Sequence, residues 1–257
     1  MSDATDNEPR VEVVVEGHVL IITMVRTDKR NAIDPAMTAA LDGALNQLED
    51  DPDLWVGILT GGPDMFCAGT DLARLSGEPT ERGGIYGVVG RPSRKPLIAA
   101  VEGFAYGGGF EVAMACDLVV AASNARFGLP EVKRGLVASS GALLRAARVL
   151  PLNVAKQLLM TGSDLSVDDA ARHGFVNEVC EPGGALDAAR ALAAAIAANA
   201  PVAVQHSLQA ADRIASLDDE IAWEISREAA TSNRESADAA EGIAAFLEKR
   251  EPRWTGR

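Results

Sequence analysis

In the stretch VEVVVEGHVLIITMVR, residues 11–26, valine and isoleucine dominate and a Glu16-Gly17 pair interrupts them. β-Branched runs on either side of such a pair predict two strands joined as a hairpin, with His18, just past the turn, as a structural residue. The period then changes. Ile33, Met37, Leu41, Leu45 and Leu48 recur at helical spacing and predict an amphipathic helix that ends at the acidic, proline-containing break near Pro52. LWVGILTGG, KPLIAAVEG and DLVVAAS are short apolar runs that predict buried strands. Between them, MFCAGTDLARLSG predicts a loop that turns into a helix at about Asp71, and FEVAMAC a helix that follows three glycines. GALLRAARVLPLNVAKQLLMTG predicts two helical pieces broken by Pro151. In SVDDAARHG, Ser166 is an N-cap with Asp169 at the capping-box distance, and Gly174 is a stop. FVNEVC returns as a strand.

Strands that alternate with helices predict an α/β fold connected through helices. After about residue 185 the strands cease and four helical segments follow, which divides the chain into a core, 1–195, and a helical region, 196–257. The alanine-rich faces of that region, with Ile221, Ile225, Ile243, Phe246 and Leu247, need a surface to pack on: the core, another subunit, or both.

Composition narrows the function classes. The formal charge of −13 on 257 residues argues against nucleic acid as a partner, because phosphate neutralisation needs a basic face. The polar opening MSDATDNEPR has no apolar segment behind it, and no run reaches the length of a membrane span, so no membrane partner and a cytoplasmic location are expected. Cys67, Cys116 and Cys180 are widely separated and odd in number, as reduced thiols would be. His18, His173 and His206 are isolated, so no metal is expected. The serine-hydrolase elbow G-x-S-x-G is absent from the sequence.

The segment EGFAYGGGFEVAMACD, residues 102–117, is the most informative. A glycine run in a strand-to-helix connection has an ordinary explanation: a tight turn with positive φ. Dinucleotide and phosphate-loop readings fail, since the third glycine of one and the Lys-Ser/Thr of the other are missing. A further reading comes from helix physics. The first N–H groups of a helix lack internal partners, and glycines leave them uncovered. Two such donors, one from this run and one from CAGTDL, converging on one oxygen would form an oxyanion hole. Glu111 lies one turn into the helix among Phe110, Val112, Ala113 and Met114, and Glu131 follows Pro130. A lone glutamate is usually solvated, but one set among apolar residues and lacking an obvious cation has a raised pKa, which suits proton exchange near neutrality. Two acids beside an oxyanion hole suggest chemistry at the carbon next to a thioester carbonyl.

RNAID, MFCAGTDL, AAVEGFAYGGGFEVAMACDLVVAASNARFGLPEVKRG, LLMTGSDLSVDDAARHGFVNEV and FLEKREPRW occur in an order and spacing that resemble the crotonase, or enoyl-CoA hydratase/isomerase, superfamily. The resemblance covers about Val11 to Trp254, and the glycine-run segment is its most specific part. It implies a crotonase-like spiral of ββα units with a C-terminal helical trimerisation region, assembled as a homotrimer or a hexamer (a dimer of trimers). It implies oxyanion amides at Thr70 and Gly108, and Glu111 and Glu131 as the pair that holds and activates water, with the larger share of proton transfer at Glu131. Ala68 would contact the adenine of coenzyme A and Leu72 would line the pantetheine path, with Asp71 beside them. Arg26 and Arg30 are candidates for the phosphates. The implied activity is that of a trans-2-enoyl-CoA hydratase of the fatty-acid β-oxidation type, with an acyl-CoA thioester as substrate and no separate cofactor.

One departure bears on the acyl group. Where hydratases of the family commonly continue into G-G-T-Q-R, this chain has LVASSGALLRAAR, with Ser139 and Ser140 near the implied acyl pocket. A carnitinyl-CoA dehydratase-type substrate therefore stays open. A Δ3,Δ2-enoyl-CoA isomerase would need one acid only, and a non-catalytic acyl-CoA-binding subunit would need neither.

Overall fold

The computed structural model describes residues 8–215, 220–221, 223–224, 227, 231, 234–235 and 237–253. Ile225 and Trp254, which the sequence reading used, lie outside the described residues.

The hairpin forms as expected from β1 (Val11–Glu16) and β2 (Val19–Met24), paired antiparallel around Gly17. β3 (Val56–Thr60), β4 (Leu97–Val101), β6 (Leu118–Ala122) and β9 (Glu178–Cys180) add in parallel to give the order β1-β2-β3-β4-β6-β9. Alternation along these strands divides the core in two. Leu20, Ile22, Leu59, Ala99, Val101 and Val119 point to one face, whereas Ile21, Val56, Ile58, Ile98, Ala100 and Val120 point to the other. The first face packs on α1 (Pro35–Asp50), whose Met37, Leu41, Leu45 and Leu48 are fully buried. Each such side chain contributes roughly 1.5–3 kcal/mol. Helix α1 starts after Asp34, which caps it by accepting the Met37 N–H at 2.8 Å. Ile33, expected to belong to this helix, lies just outside it in a β-bridge to Thr70.

The second face is covered by α6 (Ala185–Ala197) through Ala189 and Ala193, so part of the alanine-rich tail packs on the sheet. Small side chains allow that close approach. No single helix among the described residues is long and apolar enough to cross a membrane. One bent pair, Ala185–Ala197 with Pro201–Asp212, reaches the length and composition only when combined across a 106° break.

A second sheet, of order β5-β7-β8, was not expected. Its strands are β5 (Phe104–Tyr106), β7 (Arg126–Gly128) and β8 (Asp164–Ser166). Three residues carry too little periodicity to be read from sequence. Around it stand α2 (Gly108–Met114), α3 (Ala142–Val149), α4 (Leu152–Thr161) and α5 (Val167–Arg172). Pro151 separates α3 from α4, and the Ser166 hydroxyl caps α5 by accepting the Asp169 N–H at 3.1 Å. Phe110, Phe127 and Phe175, with ring centroids 5.2–5.3 Å apart, lock α2 to this sheet.

The expected helix at Asp71 does not form; residues 72–74 make a single turn that stops at Leu75, whose φ of 58° is left-handed. His18 is structural, as read: it stacks on Trp55 at 3.5 Å and bonds the Asp53 carbonyl. The three cysteines are free thiols. The tail continues as α7 (Pro201–Ala215) and α8 (Ala237–Glu248), and α8 seats on the short 3₁₀ helix Pro130–Arg134. Gly242 lies so near that a Cβ there would meet the Arg134 carbonyl oxygen at 1.8 Å.

Candidate active site

Segments remote in sequence are brought together by short backbone pairings. Cys67 bridges β5, donating its N–H to Phe104 O at 3.1 Å and accepting that of Tyr106 at 3.0 Å. Three residues on, Thr70 bridges Ile33: the Ile33 N–H donates to Gly69 O at 2.8 Å, and the Asp71 N–H to Ile33 O at 2.9 Å. Those bonds use the groups on either side of Thr70, so the Thr70 N–H itself faces away from Ile33. A bridge therefore presents this amide, not the helix start expected from the sequence.

The loop lies directly on the glycine run. Gly69 has φ +97°, and a Cβ there would come within 2.7 Å of Tyr106 O and 3.0 Å of the Gly108 nitrogen. Gly108 is the first residue of α2, where an N–H has no acceptor within the helix. A side chain at Gly108 would stand 2.7 Å from the Tyr86 hydroxyl. The glycines thus serve backbone approach as much as turning, and the structure brings the Thr70 and Gly108 segments into contact.

Both carboxylates are at the same place. Glu111, the fourth residue of α2, is 2% exposed and accepts the Ala142 N–H at 3.0 Å. Burial first, then the charge of Glu131, pushes its pKa up, while the N–H groups of Ala142 and Ser140 and the Arg145 guanidinium pull it back. That arginine is the cation the sequence did not reveal. Glu131 sits in the first turn of Pro130–Arg134, and its Oε1 would lie 3.1 Å from a Cβ on Gly107, so the carboxylate overhangs the glycine run. Its Oε2 is buried without a protein partner, and burial raises its pKa too. Glu111 is buried and Glu131 half-buried; two shielded acids that repel one another release their protons as a pair, so near neutrality one can be an acid while the other is a base.

The remaining predicted residues separate into two groups. Ala68, whose N–H donates to Arg30 O at 3.0 Å, and Leu72 are half-buried beside the Thr70 bridge. Asp71 instead turns its carboxylate to the Arg26 guanidinium at 2.8 Å and to the Ala73 N–H at 3.0 Å. Arg26 is itself buried and further engaged with Asp34 at 3.4 Å and the Ala32 carbonyl at 2.8 Å, so framework contacts occupy this phosphate candidate. Arg30 is exposed. A cavity of about 340 Å³ borders Asp71 and is lined by Arg10, Arg26, Lys29 and Arg74 among others; neither glutamate lines it.

The sequence reading missed Tyr86. Its hydroxyl lies 2.7 Å from Thr70 Oγ1 and 3.1 Å from Ser140 Oγ. Only the glycine-rich setting GGIYG hinted at a special backbone there, and Tyr86 adopts a left-handed φ of 58°.

The chain is similar to known proteins along nearly its whole length. The family model described as "Enoyl-CoA hydratase/isomerase" matches residues 15–257. The short-chain-enoyl-CoA hydratase of Clostridium acetobutylicum is 37% identical over 91% of this chain and 93% of its own. The (E)-benzylidenesuccinyl-CoA hydratase of Thauera aromatica is 39% identical over 96% of this chain and 99% of its own. The crystal structure of a carnitinyl-CoA hydratase from Mycobacterium avium superposes with a TM-score of 0.90 at 41% identity, covering 97% of this chain and 100% of that one. With the two glutamates gathered at the glycine run and these likenesses extending along nearly the whole sequence, the chain belongs to the enoyl-CoA hydratase/isomerase (crotonase) family.

Proposed function

We propose that this protein is an enoyl-CoA hydratase, a hydro-lyase that adds water reversibly to a trans-2-enoyl-CoA thioester to give the 3-hydroxyacyl-CoA. The observation that carries this reading is the pair of glutamates against the glycine run, Glu111 buried and Glu131 half-buried with one oxygen enclosed and unpartnered. The thioester oxygen accepts the N–H groups of Thr70 and Gly108, which stabilise the enolate as charge develops; one such donor is typically worth ~3 kcal/mol of barrier. Glu131 and Glu111 hold a water. Glu131 takes the larger part in removing its proton as oxygen adds to the β-carbon, and a proton is delivered to the α-carbon. Ala68 and Leu72 flank the coenzyme A, and Asp71 holds their loop through Arg26. No separate cofactor takes part.

Loss of the conjugated-thioester absorbance over a panel of enoyl-CoA chain lengths tests the activity directly. Glu131→Gln should lower turnover by roughly 10²- to 10⁴-fold; full hydration by that variant would remove Glu131 from the mechanism. A second reading, a carnitinyl-CoA dehydratase-type substrate, is favoured by the Ser140 hydroxyl beside Tyr86 and by the likeness to the Mycobacterium avium protein. Including crotonobetainyl-CoA in the panel separates the two. The presence of two acids argues against a one-acid isomerase.

For assembly we propose a homotrimer, or a hexamer built from two, in the cytoplasm. Exposed Ile221, Phe246 and Leu247 on the tail support a subunit interface, and sedimentation of the full chain would reveal a monomer if the reading is mistaken.

A further inference from the structure

Tyr86 stands where three segments meet. It is 4% exposed, and its hydroxyl bridges Thr70 Oγ1 at 2.7 Å and Ser140 Oγ at 3.1 Å. One end of this chain of hydroxyls is Thr70, whose amide faces away from Ile33 and whose neighbour Gly69 lies against the glycine run. The other end is the residue whose own N–H, with that of Ala142, hydrogen-bonds Glu111. The phenol also fills the space that a side chain on Gly108 would need.

Its placement is enforced from behind. Asp42 on α1 binds Arg91 at 2.6 Å and Thr80 at 2.8 Å, at the two ends of the loop that carries Tyr86. Thr38 holds the Ser76 carbonyl at 2.7 Å, and Gly87 packs so tightly that a Cβ would lie 2.5 Å from Thr38 O. A non-glycine residue kept at φ 58° under such constraint marks a backbone that its surroundings over-determine. Burial, then the charge of Glu111, pushes the phenol upward in pKa, so it remains a neutral hydroxyl that can both donate and accept.

We propose that Tyr86 is a positioning residue that couples the Thr70 amide to Glu111, by tying together the two loops that present them. The inference rests on the hydratase reading. Without the phenolic oxygen the Thr70 and Ser140 loops have no link at this point, and the enolate-binding amide and the acid relax independently.

The test uses the full-length protein and the variants Tyr86→Phe, Thr70→Val and Ser140→Ala, each removing one hydroxyl of the chain. Hydration of crotonyl-CoA should show kcat reduced about 10- to 100-fold in Tyr86→Phe with KM changed less than about threefold, the pattern of lost alignment. Adding either other substitution to Tyr86→Phe should cause little further loss, because the link is already cut. Unchanged kcat, or effects that add fully, would overturn the coupling. Bound acetoacetyl-CoA gives a readout free of turnover: its ultraviolet enolate band should be strong in the parent protein and weak in Tyr86→Phe. Equal bands, or no band in the parent, would also overturn it. If Tyr86→Phe does not fold, Thr70→Val and Ser140→Ala make the same comparison. A parent that hydrates no enoyl-CoA yet shows the band, weakened by these substitutions, would sink the hydratase reading and leave the coupling standing.

Discussion

Glu111→Gln probes the site through stability as well as turnover. The wild-type carboxyl has an ordinary value of 4.5 that rises to about 8 in the fold, chiefly through burial. Between those values the folded protein holds a proton that the unfolded chain has released. Stability from this group is therefore complete below about pH 4.5 and is lost as pH climbs through about 8. Glutamine does not titrate, and its side-chain oxygen can still accept the Ala142 N–H that Glu111 accepts at 3.0 Å. The variant should lie nearest to wild type at pH 5 and exceed it increasingly up to about pH 8, levelling off beyond that at on the order of 2–4 kcal/mol. That range lies below what the full shift would give, because the proton is shared with Glu131. Denaturant unfolding of both proteins at intervals from pH 5 to 9 measures it. In parallel, hydration should fall by roughly 10²- to 10⁴-fold. A stability difference that stays constant with pH, or a wild type that gains stability on going from pH 5 to 8 relative to the variant, would refute the claim that Glu111 is buried at a cost for function.

Three other substitutions probe the scaffold. Gly108→Ala would place a methyl 2.7 Å from the Tyr86 hydroxyl; overpacking of this kind should cost about 1–3 kcal/mol and most of the activity, and a variant with wild-type melting and turnover would contradict it. Gly242→Ala would drive a Cβ to 1.8 Å from Arg134 O. It should unseat α8 from the segment that carries Glu131, read as faster amide exchange in Ala237–Glu248 and reduced kcat, and unaltered exchange would count against that seating. Asp34→Asn preserves the helix cap but leaves Arg10, paired at 3.1 Å, and Arg26, at 3.4 Å, without their shared anion. A loss of about 3–5 kcal/mol in urea unfolding is expected, whereas a loss under about 1 kcal/mol would show that the pair matters little.

The long elements were legible because they repeat. Helix α1 shows its apolar positions at helical spacing, and β2, β3 and β4 are runs longer than a turn. The Ser166 cap could be read because capping is local chemistry between neighbours. Local reading failed at Asp71. DLARL carries helix-forming residues, but the Asp71 carboxylate is drawn to Arg26, 45 positions earlier in the chain, and Leu75 turns left-handed. The three-residue strands β5, β7 and β8 were invisible for a related reason: each is strand only because its partner is there.

The same division holds at the site. The sequence by itself determined the residue types and their order: the glycine run, Glu111 one turn into its helix, Glu131 after Pro130, and the family to which these belong. Only the tertiary structure decided that Asp71 and Arg26 face each other as framework, that Arg145 tempers Glu111, and that a tyrosine from a separate loop joins Thr70 to Ser140. Bonds between neighbours along the chain are fixed by spacing, whereas proton affinity and contact across loops depend on which groups folding excludes from water together. That is a property of three-dimensional packing and has no period to read.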